Sequence, residues 1–426
     1  MNEKYISRLL GPLENLVQKL TQKYARIWWE SETCLPSIAR QYSAIEQMNI
    51  ASELERLIQR LHQFNNENAS SDNNENRRRA KIAKPYLEKI SHLTGIRLDR
   101  EFAPGFNRSS KEFIRCVEEF DPEMVPANVY QAMRNVWIMN SLQYYMNIEM
   151  QCTVPVFAYS MLYPYTDNIL DDPDLSLDEK LEIKLKLKYW LEGSDCARET
   201  DYHEKLYRLV SMIEQHFSRD QFPGVFQSML TIYNAQIRSL IQQRNRTVPY
   251  DVNILDISLE KGGTSVLADG YLIRGKLTPA EADFSFGFGA FLQFADDIQD
   301  VAEDYNRGQM TLYSQLAHHY PLDYLANKLL NFIRRVTLMH LSRSKHGKLI
   351  ELIIDNCDFL VMEAIARNRQ FYSADYLAQM QKYFPLNFDA FDNLTDELKK
   401  SYRSQRTQKI SVGSVFSSLI KLGLDN

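Results

Sequence analysis

The sequence predicts an all-α protein. Its 426 residues include only 15 glycines and 14 prolines, so few positions interrupt a regular backbone. Over long stretches the apolar residues recur at helical rather than alternating spacing, and the clusters of Val, Ile and Thr that are typical of strands are scarce. With 44% hydrophobic and 25% charged residues, the chain has the composition of a globular protein.

The composition also excludes several classes of protein. A net charge of −5 and a pI near 6.0 argue against a nucleic-acid partner, because neutralising phosphates needs a basic face. The five cysteines are scattered and never form a C-x-x-C pair, so neither a disulfide framework nor a zinc site is expected. We expect a cytoplasmic protein.

No segment has the pattern of a signal peptide or a membrane span. The N-terminus alternates charged with apolar residues, and no window reaches the roughly 18 consecutive apolar residues that cross a bilayer. Residues 411–424, SVGSVFSSLIKLGL, are interpreted as a short helix packed on the core. The alternative is peripheral contact with a membrane, to which a lipid-like substrate would also draw the protein.

The N-terminal part of the chain is predicted to be an extension of the main domain. Residues 1–63 are expected to form two or three amphipathic helices, with Ile50, Leu54 and Leu61 on one face. Residues 64–79, FNNENASSDNNENRRR, are polar and repetitive and predict a loop. We therefore divide the chain into a helical extension, residues 1–79, and a main α-helical domain, residues 80–426. The extension is expected to cap a site, form a homodimer interface or only cover the core.

From residue 80 onward, helices are expected to follow one another. Proline interrupts or starts helices, and breaks are predicted at Pro104, Pro122, Pro126, Pro173, Pro223, Pro249 and Pro279.

A first acidic cluster lies in YPYTDNILDDPDLSLDEK, residues 163–180. Asp167 and Asp171 are four residues apart, so on a helix they share one face. Like charges at this spacing destabilise a helix by a few tenths of a kcal/mol, and a bound cation would relieve them. Pro173 is expected to end the helix, and Ser176 with Glu179 forms a capping-box pattern for the next one. Taken alone, such a cluster is as often a solvated helix end.

A second acidic cluster lies in FGFGAFLQFADDIQDVAEDYNRGQM, residues 286–310. Asp296, Asp300 and Asp304 follow one another at four-residue spacing and share one helical face. The stretch from Phe284 to Ala295 is almost wholly apolar, so this helix is predicted to be buried. Buried carboxylates need cations, and Mg²⁺ suits oxygen ligands shared with phosphates. The alternative is a salt-bridge network with a facing helix.

A third feature is a lysine followed by two glycines, in the segment SLEKGGTSVLADGYLIRGK at residues 258–276. Gly262 and Gly263 weaken a helix, so we expect a helix break or a close approach of the backbone to a ligand. Lys261 is then a point charge for phosphate oxygens. A surface lysine beside a bend is the alternative interpretation.

The order of these features resembles the isoprenoid synthase superfamily, which contains trans-prenyltransferases, class I terpene synthases and squalene and phytoene synthases. The first family motif, DDxxD, appears as DNILD at 167–171, with Asn168 in place of the second Asp. The second, FQxxDDxxD, appears as LQFADDIQD at 292–300. The family's Gly-Gln pair is matched by Ala235-Gln236, and its Lys-Thr motif loosely by Lys261 and Thr264.

The resemblance implies a helical bundle around a central apolar cavity, with three Mg²⁺ ions that join two acidic helix faces to a substrate diphosphate. It implies catalytic roles for Asp167, Asp171, Lys261, Asp296 and Asp300, metal ligation by Asp167, Asp171, Asp296, Asp300 and Asp304, and diphosphate contacts from Lys261, Arg198, Arg307 and Gln293. Aromatic side chains before each cluster are expected partly to face the cavity and to stabilise carbocations.

Within the family, the sequence favours a terpene synthase. Chain-elongating prenyltransferases follow their first motif with Arg-Arg-Gly, but here no arginine follows Asp171 until Arg198. A second substrate site is therefore not expected. Condensation of two diphosphates, as in squalene and phytoene synthases, remains the nearest alternative, since the spacing of Asp296, Asp300 and Asp304 and the Arg307-Gly308 pair match those enzymes. A non-catalytic partner of a prenyltransferase is a third hypothesis.

Overall fold

All regular elements in the part of the chain that the structure describes are helical. This computed structural model describes residues 11–67, 102–171, 176–243 and 252–402, and within them the all-α prediction is confirmed. The fifteen α-helices are α1 (Pro12–Glu30), α2 (Ala44–Glu67), α3 (Ala103–Phe120), α4 (Pro126–Tyr145), α5 (Val154–Asp171), α6 (Leu177–Leu191), α7 (Asp201–His216), α8 (Pro223–Ser239), α9 (Ile254–Arg274), α10 (Pro279–Gln299), α11 (Val301–Arg307), α12 (Asp323–His340), α13 (Arg343–Arg367), α14 (Ala374–Met380) and α15 (Phe388–Tyr402).

Several predicted helix ends are observed. Pro126, Pro223 and Pro279 each occupy the first position of a helix, where the missing N–H has no intrahelical partner to lose. At the start of α6, the Glu179 N–H donates to the Ser176 hydroxyl (3.3 Å) and the Ser176 N–H donates to the Glu179 carboxylate (2.8 Å). The predicted capping box is thus present.

Helices α9 and α10 form the buried centre of the fold. They run antiparallel, because Gly262 of α9 lies against Gly289 of α10 while Ser258 lies against Asp297. Helices α1, α4, α5 and α8 pack around α9, and α1, α12 and α13 pack around α10. Two apolar clusters result, and α9 contributes side chains to both of them.

The glycines after Lys261 do not break the helix, which corrects the expectation drawn from the sequence. α9 continues from Ile254 to Arg274. A Cβ atom on Gly262 would overlap the carbonyl oxygen of Gly289, and one on Gly263 would overlap the ring of Phe286. These glycines permit a close crossing of two helices.

The first helix belongs to the same apolar core as the central pair. α1 packs against α8, α9, α10 and α12. The Tyr24 hydroxyl donates to the carbonyl of Asp283 (2.7 Å), and the Trp28 ring lies 4.7 Å from the Phe294 ring and 5.8 Å from the Phe332 ring. Burying such side chains contributes about 1.5–3 kcal/mol each.

Other features of the predicted extension are only partly described. Residues 64–67, predicted to begin a loop, are the last turn of α2, while residues 68–79 and the boundary at residue 79 lie outside the described residues. The two-part division stays a prediction, as does the interpretation of residues 411–424, which also lie outside. No described helix combines the length and the apolar character needed to span a membrane.

We predict that Gly262→Ala lowers the free energy of unfolding by about 3 kcal/mol, at the upper end of the range for overpacking, because the added methyl group meets backbone. The measurement is urea unfolding followed by circular dichroism.

The matched control is Gly347→Ala in α13, where an added Cβ has no neighbour within 4 Å. It should leave stability unchanged or raise it by up to about 1 kcal/mol, as alanine does in a helix. Equal effects of the two changes would contradict this account of the helix crossing.

Candidate active site

The second acidic cluster follows one helical path across the junction of α10 and α11. α10 ends at Gln299, and Asp300 joins the two helices with φ −94° and ψ 11°. The Asp300 N–H donates to the Asp296 carbonyl, and the Asp304 N–H donates to the Asp300 carbonyl, each at 2.9 Å. Because helical hydrogen bonds continue through the junction, the four-residue spacing of the three aspartates is kept.

The neighbours Asp296 and Asp297 have different environments. Asp296 is half exposed, and its Oδ1 lies 3.9 Å from Nη2 of Arg134 on α4. Asp297 is buried, and its carboxylate accepts hydrogen bonds from Gln293 Nε2 (2.8 Å) and Ser258 Oγ (3.3 Å). One carboxylate therefore faces outward, and the other joins α9 to α10.

Lys261 acts electrostatically on the buried carboxylates. Burial raises the pKa of Asp297 to about 7 and the pKa of Asp304 to about 8, and the charge of Lys261 opposes both shifts. After burial, the largest contributions to the Asp304 shift come from the negative charges of Asp297, Asp300 and Asp296. The cluster carries more negative charge than one lysine balances.

The first acidic cluster can be located from the register between α5 and α9. Asn135 Nδ2 donates both to Ser160 of α5 (3.1 Å) and to Asp269 of α9 (3.0 Å), so these two residues lie at one level. The hydroxyls of Tyr163 and Ser265 lie 2.5 Å apart. Moving toward the end of α5 therefore means moving toward the start of α9, and the two helices are antiparallel.

This register brings the two acidic segments to the same end of the bundle. One helical turn beyond Tyr163 and Ser265, residue 167 of the α5 backbone lies at the level of Lys261. Residues 167–171, the last turn of α5, are then level with the part of α9 that contacts Asp297 through Ser258. The side chains of Asp167 and Asp171 lie outside the part of the structure that is described.

The remaining predicted diphosphate contacts have partners of their own. Gln293 donates to Asp297. Arg307 pairs with Glu303 on its own helix (2.8 Å). Arg198, between α6 and α7, lies 3.6 Å from a carboxylate oxygen of Glu204, and its guanidinium lies 4.0 Å from the centre of the Tyr207 ring.

The threonine of the loose Lys-Thr match makes a hydrogen bond within its own helix. The buried Thr264 hydroxyl donates to the carbonyl of Glu260 within α9 (2.7 Å), and Glu260 itself pairs with Arg238 of α8. Of the two residues in the Lys-Thr match, only Lys261 acts on the carboxylates of Asp297 and Asp304.

The aromatic residues before the two clusters differ in their surroundings. On α10, the Phe286 ring stacks on Tyr24 of α1 at 5.7 Å, and Phe294 packs against Trp28, so these rings belong to the core. On α5, the Tyr159 and Tyr163 rings lie 5.5 Å apart, and Tyr163 contacts the Ser265 face of α9. Tyr159 and Tyr163 are therefore better candidates than the α10 rings for the aromatic residues that were expected to face a cavity.

Sequence reasoning missed three residues that shape this region. Ser258 precedes Lys261 by three residues and therefore lies on nearly the same face of α9, which is a signal that could have indicated it. Arg134 and Gln242 carry no local signal. Gln242 accepts from the Met310 N–H (2.8 Å) and donates to the Met310 carbonyl (3.0 Å), and so fixes the segment after α11.

The donor set suits a hard divalent cation. Every candidate ligand is a carboxylate oxygen, the kind of ligand that Mg²⁺ prefers, and the mutual repulsion that raises the pKa of Asp304 is what a cation would relieve. Within the described residues, no three His, Cys, Asp or Glu side chains already converge on one point. The carboxylates are spread along α10 and α11.

No family model, curated protein or solved structure matches this chain. The resemblance to isoprenoid synthases stays a prediction that rests on the motifs and their order.

We predict that Asp304→Asn stabilises the protein at pH 8.5 without divalent cations. Asp titrates near 3.9 in an unfolded chain and about 8 here, so the wild type loses stability as pH rises from about 4 to about 8. The variant should gain at least about 1.4 kcal/mol over the wild type at pH 8.5, the value of one pKa unit.

Urea unfolding at pH 4.5, 6.5 and 8.5 measures this difference. It should shrink steadily toward pH 4.5, where the wild-type carboxyl is mostly protonated in the folded protein. The same difference at all three pH values would show that the Asp304 carboxyl does not titrate as described.

Proposed function

We propose that this chain is a magnesium-dependent enzyme that ionises an allylic prenyl diphosphate and converts the cation into a terpene by cyclisation or proton loss, as class I terpene synthases do. One observation carries the proposal. The last turn of α5, the Lys261 turn of α9 and the end of α10 lie at one end of a helical bundle, as two metal-binding segments that share one diphosphate require.

The predicted site residues have distinct roles in this proposal. Asp167 and Asp171 on one side, and Asp296, Asp300 and Asp304 on the other, would hold the metal. Mg²⁺ held by these carboxylates would neutralise charge on the departing pyrophosphate. Lys261 binds diphosphate oxygens as a point charge.

Buried Asp297 links α9 and α10 at this end of the bundle. Hydrogen bonds from Ser258 and Gln293 fix its carboxylate between α9 and α10, and its negative charge attracts Lys261. Asp297 thus positions the lysine and does not itself need to touch the diphosphate.

Farther along α9 the surroundings become apolar, which suits a carbocation that water must not reach. Leu267, Ala268 and Leu272 are each 0% exposed. Apolar surroundings of this kind suit a hydrocarbon chain, and the electron-rich faces of Tyr159 and Tyr163 are suited to stabilising positive charge.

The partners of two arginines favour a one-substrate reaction over condensation of two diphosphates. A second diphosphate needs further cations, and Arg307 and Arg198 are the arginines that were predicted from the sequence to contact diphosphate. Both are engaged by carboxylates, Arg307 by Glu303 and Arg198 by Glu204 and Asp195.

We predict that Asp300→Ala and Asp171→Ala lower magnesium-dependent release of pyrophosphate from allylic diphosphates at least about 100-fold. Lys261→Met should lower it by about 100-fold, because removing one preorganised charge-stabilising group has an effect of that order. The measurement is initial rates of pyrophosphate release at saturating Mg²⁺.

Asp220→Ala and Lys19→Met change exposed residues of the same types elsewhere and serve as matched controls, with rates near wild type expected. Circular dichroism verifies that every variant is folded. Wild-type rates in both aspartate variants would overturn the metal assignment.

A further inference from the structure

A buried carboxyl group lies two helical turns along α9 from Lys261. Asp269 is 0% exposed and sits among apolar side chains of the cluster that α4, α5 and α9 share. Its Oδ1 accepts a hydrogen bond from Asn135 Nδ2 (3.0 Å), which also donates to Ser160 Oγ (3.1 Å). Its Oδ2 is buried and has no hydrogen-bond partner among the described residues.

Such a carboxyl group is costly, because buried acids are normally paired with cations. Among the described residues, no charged group of the helices packed on α9, namely α1, α4, α5, α8 and α10, acts on Asp269. Burial raises its pKa to about 8, and only the hydrogen bond from Asn135 opposes the shift.

The contact between α4 and α9 does not by itself require an acid at position 269. The contact with Asn135 uses one oxygen as an acceptor, and an asparagine could supply that oxygen without the cost of a buried ionisable group. The second oxygen, Oδ2, therefore remains without a structural explanation.

Asp269 lies on the same face of α9 as Lys261, the proposed diphosphate contact. Lys261, Ser265 and Asp269 follow one another at four-residue spacing and lie on one face of α9. Tyr163 contacts this face at Ser265, and Asn135 contacts it at Asp269. Eight residues at 1.5 Å each separate Lys261 from Asp269 by about 12 Å along the helix, a distance that the hydrocarbon part of a prenyl diphosphate held near Lys261 is long enough to span.

We propose that Asp269 is the base that removes a proton from the hydrocarbon cation and so ends the reaction with an alkene. The inference rests on the proposed function and assigns the proton acceptor of that site.

The step is balanced without any further reactant. A C–H bond next to the cationic carbon breaks, and its electron pair becomes the second bond of a C=C double bond. The proton passes to Oδ2 of the Asp269 carboxylate, which becomes a neutral carboxylic acid. Asp269 returns the proton to solvent before the next turnover.

Without this base, water is the competing acceptor of the cation, and its addition gives an alcohol. The ratio of alkene to alcohol therefore reports on Asp269 more directly than the rate does. Because the carboxylate form is required and the pKa of Asp269 is about 8, the wild-type ratio should rise between pH 7 and pH 9.

The experiment compares product ratios of the wild type and Asp269→Asn by gas chromatography and mass spectrometry at pH 6.5, 7.5, 8.5 and 9. Asparagine keeps the size of the side chain and the acceptor for Asn135. We expect the alkene-to-alcohol ratio to fall at least about 10-fold at pH 8.5 and to lose its dependence on pH.

Thr337→Val is the matched control, because the Thr337 hydroxyl is also buried without a hydrogen-bond partner in the described structure but lies on α12. It should give the wild-type ratio. If Asp269→Asn does not fold, the wild-type pH profile alone still decides, since a flat ratio or a product that is wholly alcohol overturns the inference.

The two proposals fail in different ways. If the wild type releases pyrophosphate but Asp269→Asn gives the wild-type ratio at every pH, only the role of Asp269 is wrong. If the wild type consumes no allylic diphosphate, the proposed function is wrong, and the inference is overturned with it.

Discussion

The close crossing of α9 and α10 determines the geometry of the candidate site. Gly262 and Gly289 carry no side chain where the two backbones meet, so each helix approaches the carbonyl oxygen of the other. This contact sets the register that places Ser258 beside Asp297. It also leaves the remaining polar face of α9, with Ser265 and Asp269, turned toward α5 and α4. A small change in the crossing would shift every one of these contacts.

Three buried carboxyl groups on α9, α10 and α11 cost stability when they ionise. Burial raises the pKa of Asp297 to about 7 and those of Asp269 and Asp304 to about 8, so three carboxyl groups oppose stability at neutral pH. Acids whose pKa values are raised in this way are concentrated at functional sites. Asp304 belongs to a crowded group of carboxylates that a divalent cation would relieve, whereas Asp269 lies among apolar side chains and accepts one hydrogen bond, from Asn135. We therefore propose different chemistry for the two positions, metal binding near Asp304 and proton transfer at Asp269.

Local patterns were enough to predict the helical class, the proline starts of α4, α8 and α10, the capping box at Ser176 and the burial of the helix before Asp296. These features depend on residues within one or two turns. The helix break predicted at Gly262 was wrong because the residue that requires a glycine there, Gly289, lies on another helix. Arg134, Gln242 and Asp269 gave no signal because their contacts depend on the register between helices. The roles of Asp167 and Asp171 rest on motif spacing and on the position of the α5 backbone.

Product analysis tests the central claim, that one end of this bundle ionises a single allylic diphosphate with Mg²⁺, most directly. Pure protein would be incubated with geranyl, farnesyl, geranylgeranyl and geranylfarnesyl diphosphate, each with and without isopentenyl diphosphate and with and without Mg²⁺, and the products identified by mass spectrometry. We expect a hydrocarbon or an alcohol from one of these diphosphates alone, and only with Mg²⁺. A longer diphosphate formed only with isopentenyl diphosphate, or no consumption of any substrate, would contradict the claim.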